Sequence, residues 1–215
     1  LPGKVMKKIV GKPMIEILLS RLSKSKELDE IVVTTSKSSE NDKLQLNIES
    51  LGYRCTRGSE KNVLSRYKDT AKSVGADIIV RITGDCPLVD PAIVDKCVRN
   101  FKKSDVDYFS NTYPRTYPDG LDVAVISYSA LERADAEAKS DFDREHVTSY
   151  IINSNNFTKS SFKHSKDLSD LRWTVDNHQD LTVVKNIFNY FSPNLNFSWK
   201  EVLKLQNFKP ELFLE

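Results

Sequence analysis

Two aspartates stand where chemistry is most easily built. Asp85 follows the β-branched run in "IVRITGDCPLVD", and Asp176 closes "LRWTVDNHQDL" just ahead of a helical stretch. At the carboxyl edge of a parallel sheet the two would share one site. A pair of hard carboxylate oxygens, with phosphates completing the shell, is the usual way of holding magnesium. Each has a plainer reading too: Asp176 as a helix N-cap, Asp85 as a turn residue before the stiff Cys86-Pro87. The glycines point in the same direction. Of the 7 in the chain, Gly52 and Gly75 read as helix terminators, while Gly3, Gly58, Gly84 and Gly120 sit in loops beside charge: "PGK", "RGSE", "TGD" and "PDG". Glycine there lets backbone N–H groups approach an anion closely, or simply makes a turn. His146 in "REHV" reads as a surface or interhelical histidine and Cys86 as a small buried filler; no Ser-His-Asp or Cys-His arrangement assembles.

Composition narrows the class without naming a partner. With 215 residues, 39% hydrophobic and 29% charged, the chain suits one well-cored domain. Lys and Arg total 32 against 30 acidic residues, a formal charge of +2, which favours neither nucleic-acid wrapping nor an acidic membrane surface. Cys55, Cys86 and Cys97 form no C-x-x-C pair and lie far from His146, His164 and His178, so zinc-ligand spacing is absent and reduced thiols are expected. No apolar run approaches the ~20 residues of a membrane span and no apolar signal core opens the chain, so the expected location is cytoplasmic.

The elements that would position the aspartates follow from periodicity. Met14, Ile15, Leu18, Leu19 and Leu22 recur at helical spacing, then "EIVVTTS" reads as a buried strand. Leu44, Ile48 and Leu51 mark a second helix before the strand "YRCT"; Val63, Tyr67, Ala71 and Val74 mark a third before "DIIVRIT". Asp90 and Pro91 open a fourth as N-cap and first residue, with "VDYFS" the next strand. This alternation predicts a layered α/β domain with a mostly parallel sheet, whose ligands bind beyond the carboxyl ends of the strands. "NTYPRTYPDG" breaks the rhythm and reads as an inserted flap at about 111–127, before a helix introduced by Ser129 and Glu132 as a capping box. "DFDREHVTSYIIN" reads as helical, 154–170 as a linker, "LRWTV" as a last strand, and Leu181 to Phe191 and Ser198 to Phe208 as closing helices.

Taken together, "LPGKV", "TTS…ND", "RGSEKNVLSRY", "RITGDCPLVDP", "YPDGLDV", "DREHVTSYI" and "LRWTVD…DL" resemble the cytidylyltransferases of the spore coat polysaccharide biosynthesis protein F family, relatives of the acylneuraminate and deoxyoctulosonate cytidylyltransferases. The resemblance spans Leu1 to about Phe191 in order. It implies a single Rossmann-like, three-layer α/β domain of the nucleotide-diphospho-sugar transferase type over 1–215. It implies nucleotide-binding roles for Gly3, Lys4, Arg57, Ser59, Lys61 and Thr83, with Lys4 on the CTP phosphates, and a magnesium ion on Asp85 and Asp176. Asp119 and Asp122 of the flap, with Arg144 and His146, would face the sugar acceptor. Ala124 and Gln179 depart from the pattern, standing where relatives usually carry acidic residues. Relatives also begin with a strand and an Arg-containing loop, about 12–18 residues that end in "LPGK". The expectation is therefore either a fragment or a degenerate paralogue, in which "IVVTTS" and "IIVRIT" flank a missing neighbour and the 215-residue chain alone is poorly stable.

The reaction so implied is attack by a sugar hydroxyl on the α-phosphate of CTP, giving a CMP-sugar and pyrophosphate. Lys4, Asp85 and Asp176 are its catalytic set, Mg2+ its cofactor, and CTP and a sugar its partners, with neither nucleic acid nor membrane and with a homodimer as the candidate assembly. Two rivals stand beside it. A metal-dependent glycosyltransferase would use a D-x-D, of which "DVD" at Asp105 to Asp107 is the string weighed for that role. A non-catalytic binding protein would fit the missing strand and Ala124.

Overall fold

The computed structural model describes residues 1–214. A short hairpin of β1 (Lys8–Ile9) and β2 (Lys12–Pro13) leads into α1 (Met14–Leu22). β3 (Val32–Ser36), α2 (Asp42–Ser50), β4 (Arg54–Gly58), α3 (Val63–Val74), β5 (Ile78–Arg81), α4 (Pro91–Lys103) and β6 (Tyr108–Ser110) then keep the predicted alternation. After a long loop come β7 (Ala124–Ser127), α5 (Tyr128–Glu137), α6 (Asp141–His146), α7 (Ser149–Asn153), β8 (Lys159–Ser161), α8 (His178–Phe191) and α9 (Trp199–Phe208).

Each strand faces two ways, and the two core clusters record it. Phe109 and Val125 belong to a cluster with α1, α2, α4, α8 and α9, whereas their neighbours Tyr108, Ala124 and Ile126 belong to one with α3, α5 and α7. Period-two alternation thus yields three layers, helix–sheet–helix. Local signals act as expected: the Asp90 side chain accepts from the Ala92 N–H at 2.8 Å with Pro91 next, and Gly75 ends α3 at φ 64°.

The sheet departs from the expected pattern in two ways. It is mixed, because β7 runs antiparallel to both β5 and β6, while β6 and β8 are parallel. It is also in two parts: among the described residues β3 pairs only with β4, and β5 heads the order β5-β7-β6-β8. Between them lies a slot of about 740 Å³, walled by β3 and β5 and covered by Leu18 and Leu22 of α1 and by Tyr67 and Ala71 of α3. This is the unpartnered neighbour expected from the sequence. The Tyr128 N–H donates to the Asp77 carbonyl, so strand alternation turns the peptide groups of Ile78 and Val80 toward the slot. Likewise the Lys37 N–H donates to the Gly58 carbonyl, which leaves those of Val32 and Thr34 facing it from the other side. Ile78, in a strand that should be covered, is 37% exposed.

Further expectations are corrected. The flap ends before Ala124, since residues 124–127 are β7, buried between β5 and β6. Ala124 is therefore a core residue, and its small side chain is a matter of packing rather than acceptor contact. Ser127, not Ser129, caps α5, accepting from the Ala130 N–H at 3.2 Å. "LRWTV" is extended without being a strand, because its backbone partners are loop residues: the Trp173 N–H donates to the Asp119 carbonyl and the Val175 N–H to the Asp85 carbonyl. The supposed linker contains β8, and "DFDREHVTSYIIN" is two short helices broken at Val147, which takes a φ of 60°.

Candidate active site

Lys4, Asp85 and Asp176 converge. Lys4 follows Gly3, whose φ of 64° opens a short 3-10 turn, and its ammonium donates to Asp85 Oδ2 at 3.1 Å and Asp176 Oδ1 at 2.8 Å. Asp85 lies in the turn beyond β5, and its carbonyl accepts from the Val175 N–H at 2.9 Å and the Thr174 hydroxyl at 3.1 Å. The two aspartate-bearing segments are thus stitched together by backbone. The N-cap alternative for Asp176 fails, because Asn177 and Asp180 form the capping box of α8 and leave the Asp176 carboxylate free to face Lys4.

Burial alone would raise the Asp85 pKa, but a hydrogen bond from Thr83 and the Lys4 charge overcome it and hold the carboxyl below its ordinary value. The hydrogen bond from Lys4, then that from Arg172, does the same for Asp176. Burial works against the Lys4 ammonium, yet the two carboxylates leave its pKa raised. Both acids are thus ionised and share one cation. The donors suit a small divalent ion: two hard anionic oxygens aimed at a single positive centre. Among the described residues no group of three or more His, Cys, Asp or Glu side chains is arranged for a metal, so other ligands would have to complete the shell.

Two arginines that sequence reasoning passed over extend the site. Arg172 Nη1 donates to Asp119 Oδ2 at 3.1 Å, Nη2 to Asp176 Oδ2 at 2.5 Å and Nε to Asp180 Oδ1 at 3.2 Å. Arg115 grips Asp122 with both terminal nitrogens, at 2.5 and 2.6 Å, and lies 3.2 Å from Asp119. Charges of alternating sign therefore run from Asp122 through Arg115, Asp119, Arg172, Asp176 and Lys4 to Asp85. The signal for Arg172 was present in "RWTVD": extended backbone turns Trp173 and Val175 into the core and leaves Arg172 and Asp176 exposed together. Gly120 is needed here, with φ 106° and a notional Cβ only 2.7 Å from the Trp173 carbonyl carbon.

The remaining candidates are placed differently. Arg57 is spent on the protein, donating to the Ser36 and Ser38 carbonyls and to Asp42 and Gln45, where it holds the loop after β3. The Ser59 hydroxyl accepts from the Asn62 N–H, and Lys61 is exposed. Arg144 donates to the Ala138 carbonyl and lies near Asp135, and the His146 ring packs tilted against Phe142 with centroids 4.3 Å apart. Neither touches Asp119 or Asp122, so the structure brings the flap aspartates to the Lys4 cluster but not the "REH" pair. Cys86 is buried as expected, with its thiol pKa pushed up by burial. Asp107, the end of "DVD", is engaged by Arg133 and Thr158 and ties β6 to the segment before β8.

The family model described as Cytidylyltransferase matches residues 1–189. The chain belongs to that family. The cytidylyltransferase is 34% identical over 215 residues to "Uncharacterized protein MJ1063" of Methanocaldococcus jannaschii, covering 99% of this chain and 87% of that protein. It is 29% identical to the spore coat polysaccharide biosynthesis protein SpsF of Bacillus subtilis, covering 100% and 92%. A cytidylyltransferase structure from Leptospira borgpetersenii superposes with a TM-score of 0.95 at 30% identity, covering 99% of this chain and 90% of that one. CMP:2-keto-3-deoxy-manno-octonic acid synthetase complexed with CTP shares the fold, at TM-score 0.69 and 16% identity over 88% and 93%. The fold is that of the nucleotide-diphospho-sugar transferases, and no helix among the described residues is long and apolar enough to cross a membrane.

Proposed function

We propose that this cytidylyltransferase joins CMP from CTP to an acidic sugar, releasing pyrophosphate, with magnesium held by Asp85 and Asp176. The observation that carries the reading is the convergence of Lys4, Asp85 and Asp176 in one ion-paired cluster. A sugar hydroxyl oxygen bonds to the α-phosphorus as the bond to the bridging oxygen breaks, and the hydroxyl proton is lost. Magnesium would supply charge neutralisation at the phosphates. Lys4, released from the carboxylates, meets the same phosphates as a point charge, and Asp85 and Asp176 remain ionised at neutral pH to hold the cation. The acceptor side falls to the flap, where Asp119 and Asp122 lie with Arg115 and Arg172. Arg57 serves the nucleotide indirectly, by shaping the loop after β3. The sugar class is supported by the relatives, since SpsF by its name serves polysaccharide biosynthesis and a 3-deoxy-manno-octulosonate cytidylyltransferase is 31% identical over 99 residues.

Pyrophosphate release, measured with each of the four ribonucleoside triphosphates, Mg2+ or Mn2+, and a panel of acidic sugars, tests the proposal. CTP with one acidic sugar should give stoichiometric pyrophosphate and CMP-sugar. Release of a nucleoside diphosphate from a sugar nucleotide would favour the glycosyltransferase instead, and binding of CTP without turnover across the panel would favour a binding protein.

A further inference from the structure

Phosphate binding requires Lys4 and cation binding the two aspartates, but neither explains Arg172. Its guanidinium is anchored from behind by Asp180, a carboxylate only 7% exposed that is itself fixed by accepting the Asp176 and Asn177 N–H groups at 2.7 and 3.1 Å. Nε and Nη2 together hold Asp180, at 3.2 and 3.3 Å, Nη2 also donates to Asp176 on the approach to α8, and Nη1 reaches away to Asp119 on the flap. The backbone repeats the connection, for Asp119 donates its N–H to the Leu171 carbonyl and accepts from the Trp173 N–H, flanking Arg172 on both sides.

We propose that Arg172 is a positioning residue that fixes the Asp176 carboxylate and couples it to the acceptor flap through Asp119, so that the flap and the cation site respond as one unit. The inference rests on the reading of Asp176 as a cation ligand given above. The Asp176 side chain is 52% exposed, and without Arg172 its one side-chain partner would be the flexible Lys4 ammonium. Arg172 takes Oδ2 and thereby aims Oδ1 at Lys4, whose ammonium also holds Asp85. Only a planar fork can hold three carboxylates in three directions; a lysine in its place is a single point charge. Removing the charge of Asp119 leaves Arg172 less compensated and frees one end of the fork, and both effects reach Asp176.

The test is a double-mutant cycle read in Mn2+ binding, followed by electron paramagnetic resonance with α,β-methylene-CTP present so that no turnover occurs. Asp119→Asn should weaken Mn2+ binding about fivefold or more. In an Arg172→Gln background the same change should have little further effect. Arg172→Lys should behave like Arg172→Gln, because charge without the fork does not restore the link. An Asp119→Asn effect that is absent, or equal in both backgrounds, would overturn the coupling. Full coupling retained in Arg172→Lys would overturn the positioning role and leave a general field effect. Absence of Mn2+ binding by the unmutated protein would instead sink the cation assignment and this inference with it, whereas binding without coupling sinks this one alone. Thermal melts of each variant identify any that fail to fold, and Asp119→Asn with Arg172→Lys then carry the comparison.

Discussion

Asp176 shows at the level of one side chain how two readings of a residue are separated. An aspartate before a helix is ordinarily its cap, yet here Asn177 does that work and Asp176 meets Lys4 and Arg172. Asp85→Asn and Asp176→Asn each replace a charged ligand by a neutral near-isostere, so each should lower turnover by about 100-fold or more while circular dichroism stays unchanged. Near-normal rates in either variant would remove that residue from the cation site. Acid should act on the same residues. The folded-state pKa values of Asp85, Asp176 and Asp180 lie below their ordinary carboxylate values, so their contribution to stability is complete above about pH 4. It is lost as pH falls through the lowered folded values. A melting midpoint that drops below pH 4 less steeply in Asp180→Asn than in the unmutated chain is the expected result.

Elements carry the next prediction, because the flap is held by its own charges. Asp122→Ala frees Arg115 but leaves Lys4, Asp85 and Asp176 in place, so the acceptor KM should rise or kcat fall with the CTP KM changed less than about threefold. An equal loss of CTP binding would assign the flap to the nucleotide. Helix α1 carries a different device. Arg21 is 2% exposed, and its guanidinium donates to the carbonyls of Leu88, Val89, Leu195 and Phe197 and packs over the Phe197 ring. Burial pulls its pKa down to about 10. Arg21→Leu strands several buried carbonyls and should cost about 3 kcal/mol or more in denaturant unfolding. Helical stripes and caps such as Met14 to Leu22 and Asp90-Pro91 were legible in sequence because they are set by local spacing. Arg21, Arg172 and the pairing of "LRWTV" with loops were not, since their partners lie far away along the chain and a charged residue in an apolar stripe gives no local hint of burial. The Asp85–Asp176 pair was legible through the carboxyl-edge rule for α/β sheets even though "LRWTV" is not itself a strand, and Lys4 joined it only through the family resemblance, while the separation of Arg144 and His146 from the flap depends on how α6 packs and has no periodic signature.

For the molecule as a whole, the slot between β3 and β5 is the largest departure from a closed sheet. Its two faces are lined by apolar side chains of α1 and α3, so an added strand there would have to be apolar on both sides, as strands buried in parallel sheets are. Extending the chain ahead of Leu1 by five β-branched residues and a short linker should protect the Val32, Thr34, Ile78 and Val80 amides from hydrogen exchange. It should also raise the melting midpoint by about 10 °C. The same extension with a central proline should do neither. Amides already protected in the unextended chain would mean that β3 and β5 pair directly. A divided sheet also has a calorimetric consequence. The β3–α2–β4 unit is joined to the four-stranded sheet through helix faces rather than through a ladder of peptide hydrogen bonds, so the two halves can melt as separate cooperative units. The van't Hoff enthalpy of the transition should then fall short of the calorimetric one, and the shortfall should vanish once a strand bridges the gap.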